Sequence, residues 1–170
     1  LSGHNFGNLF IAAMSEIMGD FELAVKESSR VLLVRGEVLP ATLDDCILGA
    51  LLSGGREVLG ETSVGTSTSR IDRVFLRPEG PKPLPEALRA ISEADAIVLG
   101  PGSLYTSVMP NLLVDGMADA IASSKAVKIY VCNVMTEPGE TQGYAAQDHL
   151  AAIFRHAGPD VVDWIIINDA

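Results

Sequence analysis

Gly100, Gly102, Ser103, Tyr105 and Thr106 stand close together in the stretch VLGPGSLYTSVMPNLLV, residues 98–114. An apolar run ends there in Gly-Pro-Gly-Ser, and hydroxyl-bearing residues follow. Glycines let a backbone come close to a ligand, and hydroxyl and N–H groups can then hold an anion. Three chemistries compete for Ser103. A nucleophile elbow needs glycine on both sides in the order G-x-S-x-G, and Leu104-Tyr105 follow instead. A dinucleotide fingerprint needs a third glycine that is missing. What remains is an anion-binding turn, or a tight strand-to-helix turn with no ligand, and the pattern leaves both open.

A second polar cluster, NVMTEPGETQGY (133–144), offers Asn133, Met135, Thr136, Gly139 and Thr141. A third, GHNFGN (3–8), offers Gly3, His4, Asn5 and Asn8. His4 reads equally as a proton donor or ligand contact and as a capping residue. Lysine and arginine are absent from the first two clusters. A phosphate there would be met by backbone N–H groups and a helix dipole. Metal chemistry finds less support. His149 and His156 lie seven apart on a helical pattern without a third ligand. Asp44 and Asp45 could hold Mg²⁺, but read better as a solvated turn.

The chain carries 12 Lys and Arg against 22 Asp and Glu, a formal charge of -10. That balance disfavours nucleic acid and an anionic membrane surface as partners. It leaves open a phosphate held by backbone donors, which carry no formal charge. Two cysteines in apolar runs read as buried thiols in a reducing cytoplasm. No uninterrupted apolar run reaches the length of a membrane span.

The elements that must position these clusters follow from periodicity. Helical spacing covers residues 6–18 and then 21–32, with Asp20 as the cap between them. Residues 36–77 break into short β-rich runs: GEVLPAT, DCILGALLS, REVLGETS and RIDRVFLRP. Ser53-Gly54-Gly55-Arg56 is a hairpin signal, and VGTSTSR (64–70) is a polar loop. From residue 84 the order is helix 85–94, strand 94–100, helix 111–124, strand 126–134, helix 141–157, strand 160–168. This alternation predicts an α/β chain: a largely parallel sheet with flanking helices, and a small antiparallel insertion at 36–77. One domain over 1–170 is expected from length. Ligands of such sheets bind outside the carboxyl ends of the strands, where the first two clusters fall.

The strings GHNFGNL, GPGSLYTSVMPNLLV, YVCNVMTEPGET and GYAAQDH, in this order, resemble the bacterial gluconeogenesis factor family, also called YvcK-like or UPF0052. That family belongs to a superfamily with 2-phospho-L-lactate transferase, the CofD-like proteins. The resemblance runs from residue 3 to about 168. It implies a Rossmann-like fold and binding of a nucleotide-sugar such as UDP-N-acetylglucosamine or UDP-glucose. It also implies a role in carbon metabolism, cell shape and cell-wall precursor control, with a protein partner in cell-wall synthesis. No cofactor is certain. Mg²⁺ enters only with the alternative, a phosphotransferase using a nucleotide diphosphate donor.

Two departures stand out. The family more often reads M-T-Q-P-G-E-T, whereas Glu137 stands here and adds negative charge beside the expected phosphate site. Its Gly-rich G-G-G-T-G loop and D-D-G-G-S-S-G segment are missing, so the chain is expected to be a central-to-C-terminal portion. The sheet edge left open would favour homo-oligomers.

Overall fold

A computed structural model describes residues 6–32 and 35–169. The first part is a helical hairpin, α1 (Phe6–Met18) and α2 (Phe21–Val31). Asp20 caps α2 as its sequence position predicts, its carboxylate accepting from the Leu23 N–H at 2.7 Å.

The insertion is an antiparallel sheet of β1 (Ile47–Leu52), β2 (Glu57–Leu59) and β3 (Ile71–Arg77), in the order β2-β1-β3. The Ser53–Arg56 turn joins β1 to β2, with Leu52 and Arg56 still bonded across it. Two expected details differ. GEVLPAT forms no strand and contributes only a single bridge, Thr42 to Pro83. Pro40 lacks the N–H a ladder needs. The run after β2 turns into a short helix, α3 (Glu61–Gly65).

Helix α4 (Pro85–Glu93) starts on Pro85, whose missing N–H costs nothing at a first turn. It leads to β4 (Ala96–Leu99), which pairs in parallel with β5 (Val127–Val131), itself parallel to β6 (Trp164–Ile166). The helix expected at 111–124 is broken. Winding starts ahead of it, in a π-helical turn, Leu104–Val108, runs on through α5 (Met109–Leu112) and resumes, after a turn, in α6 (Met117–Ser123). Gly116 makes the break with φ 71°, a left-handed conformation that costs glycine little. Helix α7 (Ala146–Ala157) begins five residues later than its apolar pattern, because Asp148 accepts from the Ala145 N–H at 2.7 Å and fixes the start there.

Core and exposure divide the parallel sheet. Leu99 and Tyr130 face inward and join Leu104, Tyr105, Met109 and Ile153 in one core. Leu48, Ala50, Leu52, Ile71 and Val74 of the insertion belong to the same core, so the two sheets are packed together through it. The opposite face of the parallel sheet is apolar and open. Val98, Ile129 and Trp164 are in register across the three strands, and Val98 and Trp164 are 54% and 67% exposed. Parallel sheets are ordinarily covered on both faces. No helix among the described residues is long and apolar enough to cross a membrane.

Candidate functional site

The carboxyl ends of β4 and β5 place the first two polar clusters against each other. Gly100 leaves β4 with φ 87° and is followed by a cis bond to Pro101. The Gly102 N–H donates to Asn133 Oδ1 at 3.3 Å, across to the loop that leaves β5. Asn133 Nδ2 and Ser103 Oγ both donate to the Glu137 carboxylate, at 3.3 and 2.9 Å. The Glu137 N–H donates to Thr141 Oγ1 at 2.9 Å, and Thr141 is fully buried.

One turn further, Glu140 plugs the start of the helical segment 104–112. Its Oε2 accepts from the Tyr105 N–H at 2.8 Å and the Thr106 N–H at 3.3 Å. Its Oε1 accepts from Thr106 Oγ1 at 2.6 Å. Glu140 is only 8% exposed. A buried carboxylate is tolerated where hydrogen bonds and a helix N-terminus replace water, and all three donors here do that. The two readings left open for the turn therefore meet. The turn takes a carboxylate, and that carboxylate is the protein's own Glu140.

The loop from β5 is held in turn by the insertion. A Cβ on Gly139, at φ 86°, would run into the Gly65 carbonyl oxygen, so only glycine lets the loop lie this close. Beneath lies a buried ring of phenols and imidazoles. The Tyr105 and Tyr144 hydroxyls are 3.0 Å apart, and the Tyr130 hydroxyl is 2.9 Å from His149 Nδ1. Burial pushes the Tyr105 phenol up, as does its bond to Tyr144, and burial likewise raises Tyr130. Burial pushes His149 down, against smaller opposing effects of Asp148 and Glu137. Tyr105, Tyr130 and His149 thereby stay neutral near pH 7, and with Tyr144 they form a hydrogen-bonded floor.

Of the residues singled out by sequence, Gly100, Gly102, Ser103, Tyr105, Thr106, Asn133, Gly139 and Thr141 converge here. Met135 and Thr136 sit on the exposed tip of the second loop. Asn8 falls on α1, and Gly3, His4 and Asn5 lie outside the described residues. Sequence reasoning passed over Glu137 and Glu140 as ligands of the turn, because carboxylates beside an anion site read as repulsive. It also passed over Tyr144 and the Ser67–Arg70 segment, although the hydroxyl-rich VGTSTSR string was the available signal. The cysteines are half-buried rather than fully buried, and burial raises both thiols. Asp44 is committed to the Lys82 N–H at 2.6 Å. No group of three metal-ligating side chains occurs among the described residues.

Two open spaces adjoin the interlocked loops. A cleft of about 690 Å³ runs along β4 and is lined by Gly100, Pro101, Gly102, Ser107 and Asn111 at its polar end and by Ile97, Leu112 and Ile121 beyond. A polar pocket of about 380 Å³ lies between Ser67–Arg70 and the segment from Gly139 to Asp148.

Comparison with known proteins shows the family and the fold. The family described as 2-phospho-L-lactate transferase CofD matches residues 1–170. The gluconeogenesis factor of Halalkalibacterium halodurans is 54% identical over 168 residues, 99% of this chain and 52% of that protein. That of Bacillus subtilis is 51% identical over 168 residues, 99% of this chain and 53% of the relative. A crystal structure of a UPF0052 family member from Bacillus halodurans superposes with a TM-score of 0.92 at 53% identity, covering 100% of this chain and 55% of that one. The chain thus spans about half the length of the curated relatives it matches.

Proposed function

The chain belongs to the CofD family, within its gluconeogenesis factor group, and from that premise we propose that it binds a nucleotide-sugar as a regulatory ligand. UDP-N-acetylglucosamine and UDP-glucose are the candidates. The downstream role is in carbon metabolism, cell shape and cell-wall precursor control, through contact with a protein partner.

One observation carries the reading. Ser103 Oγ and Asn133 Nδ2, from the loops after two parallel strands, converge on a single half-buried carboxylate, that of Glu137. Donors that converge on one anionic acceptor at the carboxyl ends of parallel strands are what a diphosphate requires. A cleft opens beside Gly100–Gly102, the residues that precede Ser103 in the same turn. In this reading the diphosphate takes up the donors that Glu137 now holds. Glu140, buried and triply bonded, keeps the turn in shape.

Isothermal titration calorimetry of the protein with UDP-N-acetylglucosamine, UDP-glucose and UDP tests the reading. Binding that Ser103→Ala and Asn133→Ala each weaken supports it. No heat with any of the three, or affinities indifferent to both substitutions, refutes it.

The family's description favours a second reading, phosphotransfer from a nucleotide diphosphate donor with Mg²⁺. Such transfer needs carboxylates around the metal. The described residues do not fit one: Glu140 is spent on the turn, Asp44 on Lys82, and no three ligands gather. No transfer step is derived from them.

A further inference from the structure

The 380 Å³ pocket on the insertion side has a composition that the diphosphate site does not explain. Its walls are Ser67, Thr68, Ser69 and Arg70 from the insertion, and Gln142, Tyr144 and Asp148 with Glu140 from the segment after β5. Its size is at the lower end for small-molecule sites. Two carboxylates against one guanidinium disfavour a phosphate there. Donors and acceptors are mixed within a small volume, which instead suits an uncharged group that both gives and takes hydrogen bonds.

We propose that this pocket receives the hexose ring of the nucleotide-sugar. The proposal rests on the nucleotide-sugar reading above and deepens it. The Arg70, Gln142 and Thr68 side chains line the pocket and are exposed, so their hydrogen-bonding capacity is available to sugar hydroxyls. Asp148 uses one carboxylate oxygen on the Ala145 N–H and keeps the other free. The Tyr144 ring supplies a flat surface, and its orientation is held by the bond to Tyr105 and by edge contact with His149.

The pocket also shares a residue with the turn. Glu140 lines it and at the same time bonds Tyr105 and Thr106 at the start of the helical segment. The turn that carries Ser103 and one wall of the pocket are thus joined through Glu140. The contact of Gly139 with Gly65 keeps the two walls at a fixed separation. The insertion thereby has a job: it builds one wall of the sugar subsite.

The experiment compares affinities for UDP and UDP-N-acetylglucosamine in wild type, Arg70→Met and Gln142→Ala. Both side chains are exposed, so both variants should fold. Each should weaken the UDP-sugar by about tenfold, the effect of one lost hydrogen bond, and leave UDP within about twofold. Loss of UDP and UDP-sugar affinity in equal measure, or no change in either, overturns the hexose placement while nucleotide binding stands. A wild type that binds neither overturns the nucleotide-sugar reading and this one with it.

Discussion

Removing the Glu140 carboxylate should unlock the site from within. Glu140→Ala leaves the Tyr105 and Thr106 N–H groups and the Thr106 hydroxyl without their acceptor in a place only 8% exposed. A buried donor left unpaired costs about 1–3 kcal/mol, and water entering the space left behind will satisfy part of the deficit. Loss of the negative charge from a helix start adds about 0.3–1 kcal/mol. The total is about 3–4 kcal/mol, or about 10 °C in Tm for a chain of this size. Glu140→Gln keeps one acceptor oxygen for the two N–H groups and should cost about 1–1.5 kcal/mol. A double-mutant cycle of Glu140→Gln with Thr106→Val should give a coupling of about 1–2 kcal/mol, since the 2.6 Å bond between them is charge-assisted. Urea unfolding at low and high salt measures all of these. Because the carboxylate is buried, the cost should not shrink at high salt. A Glu140→Ala cost under about 1 kcal/mol would show that the turn does not depend on this internal anion.

Three further outcomes follow from the geometry. Burial holds the His156 imidazole below its ordinary value, and neighbouring Arg155 and Arg73 push the same way against the Ala152 carbonyl. Its Nδ1–H donates to the Ala152 carbonyl, and its Nε2 accepts from the Val74 N–H at 3.0 Å, so added proton and N–H would meet head-on. The unfolded chain thus binds a proton first, and stability is full above about pH 6.5 and falls as pH drops toward the folded value. Melts at pH 7.5 and 5.5 should show a flatter pH slope for His156→Gln than for wild type, and identical slopes would count against the assignment. Glu137→Gln should strengthen nucleotide-sugar binding by about fivefold, by removing a charge that competes for Ser103 and Asn133; weaker binding in calorimetry would refute that competition. The open apolar face should bind a hydrophobic dye, and Val98→Lys with Trp164→Lys should reduce both the dye signal and self-association in light scattering. A wild-type chain that ignores the dye would mean that this face is covered.

The parallel sheet was legible because its strands and helices alternate with clear periods, and β4, β5 and β6 lie within the apolar runs that predicted them. The misses have local causes. Residues 111–124 keep helical spacing straight through Asp115-Gly116, but a left-handed glycine ends the turn whatever the apolar pattern says. Residues 141–157 look helical throughout, and a capping carboxylate at Asp148 decides where winding begins. At the site, composition marked the two loops and the hydroxyl-rich string. It could not show that Glu140 faces inward onto backbone N–H groups. That orientation depends on Gly139 meeting Gly65, 74 positions away in sequence.

The two glutamates of the second loop divide the work in a way their exposure explains. Glu140 is buried and holds three donors of the turn, so its removal should be felt first in stability. Glu137 is half-exposed and holds two side-chain donors whose hydroxyl and amide are free to turn toward a ligand, so its removal should be felt first in affinity. A site preorganised by one carboxylate and provisionally filled by another loses little on ligand entry, because Ser103 and Asn133 exchange one anionic acceptor for a second. That exchange also sets a threshold. In the proposed reading, only a ligand whose charge and reach exceed those of a tethered carboxylate displaces it, which would favour a diphosphate over a single carboxylate and would make Glu137 a filter as well as a stand-in.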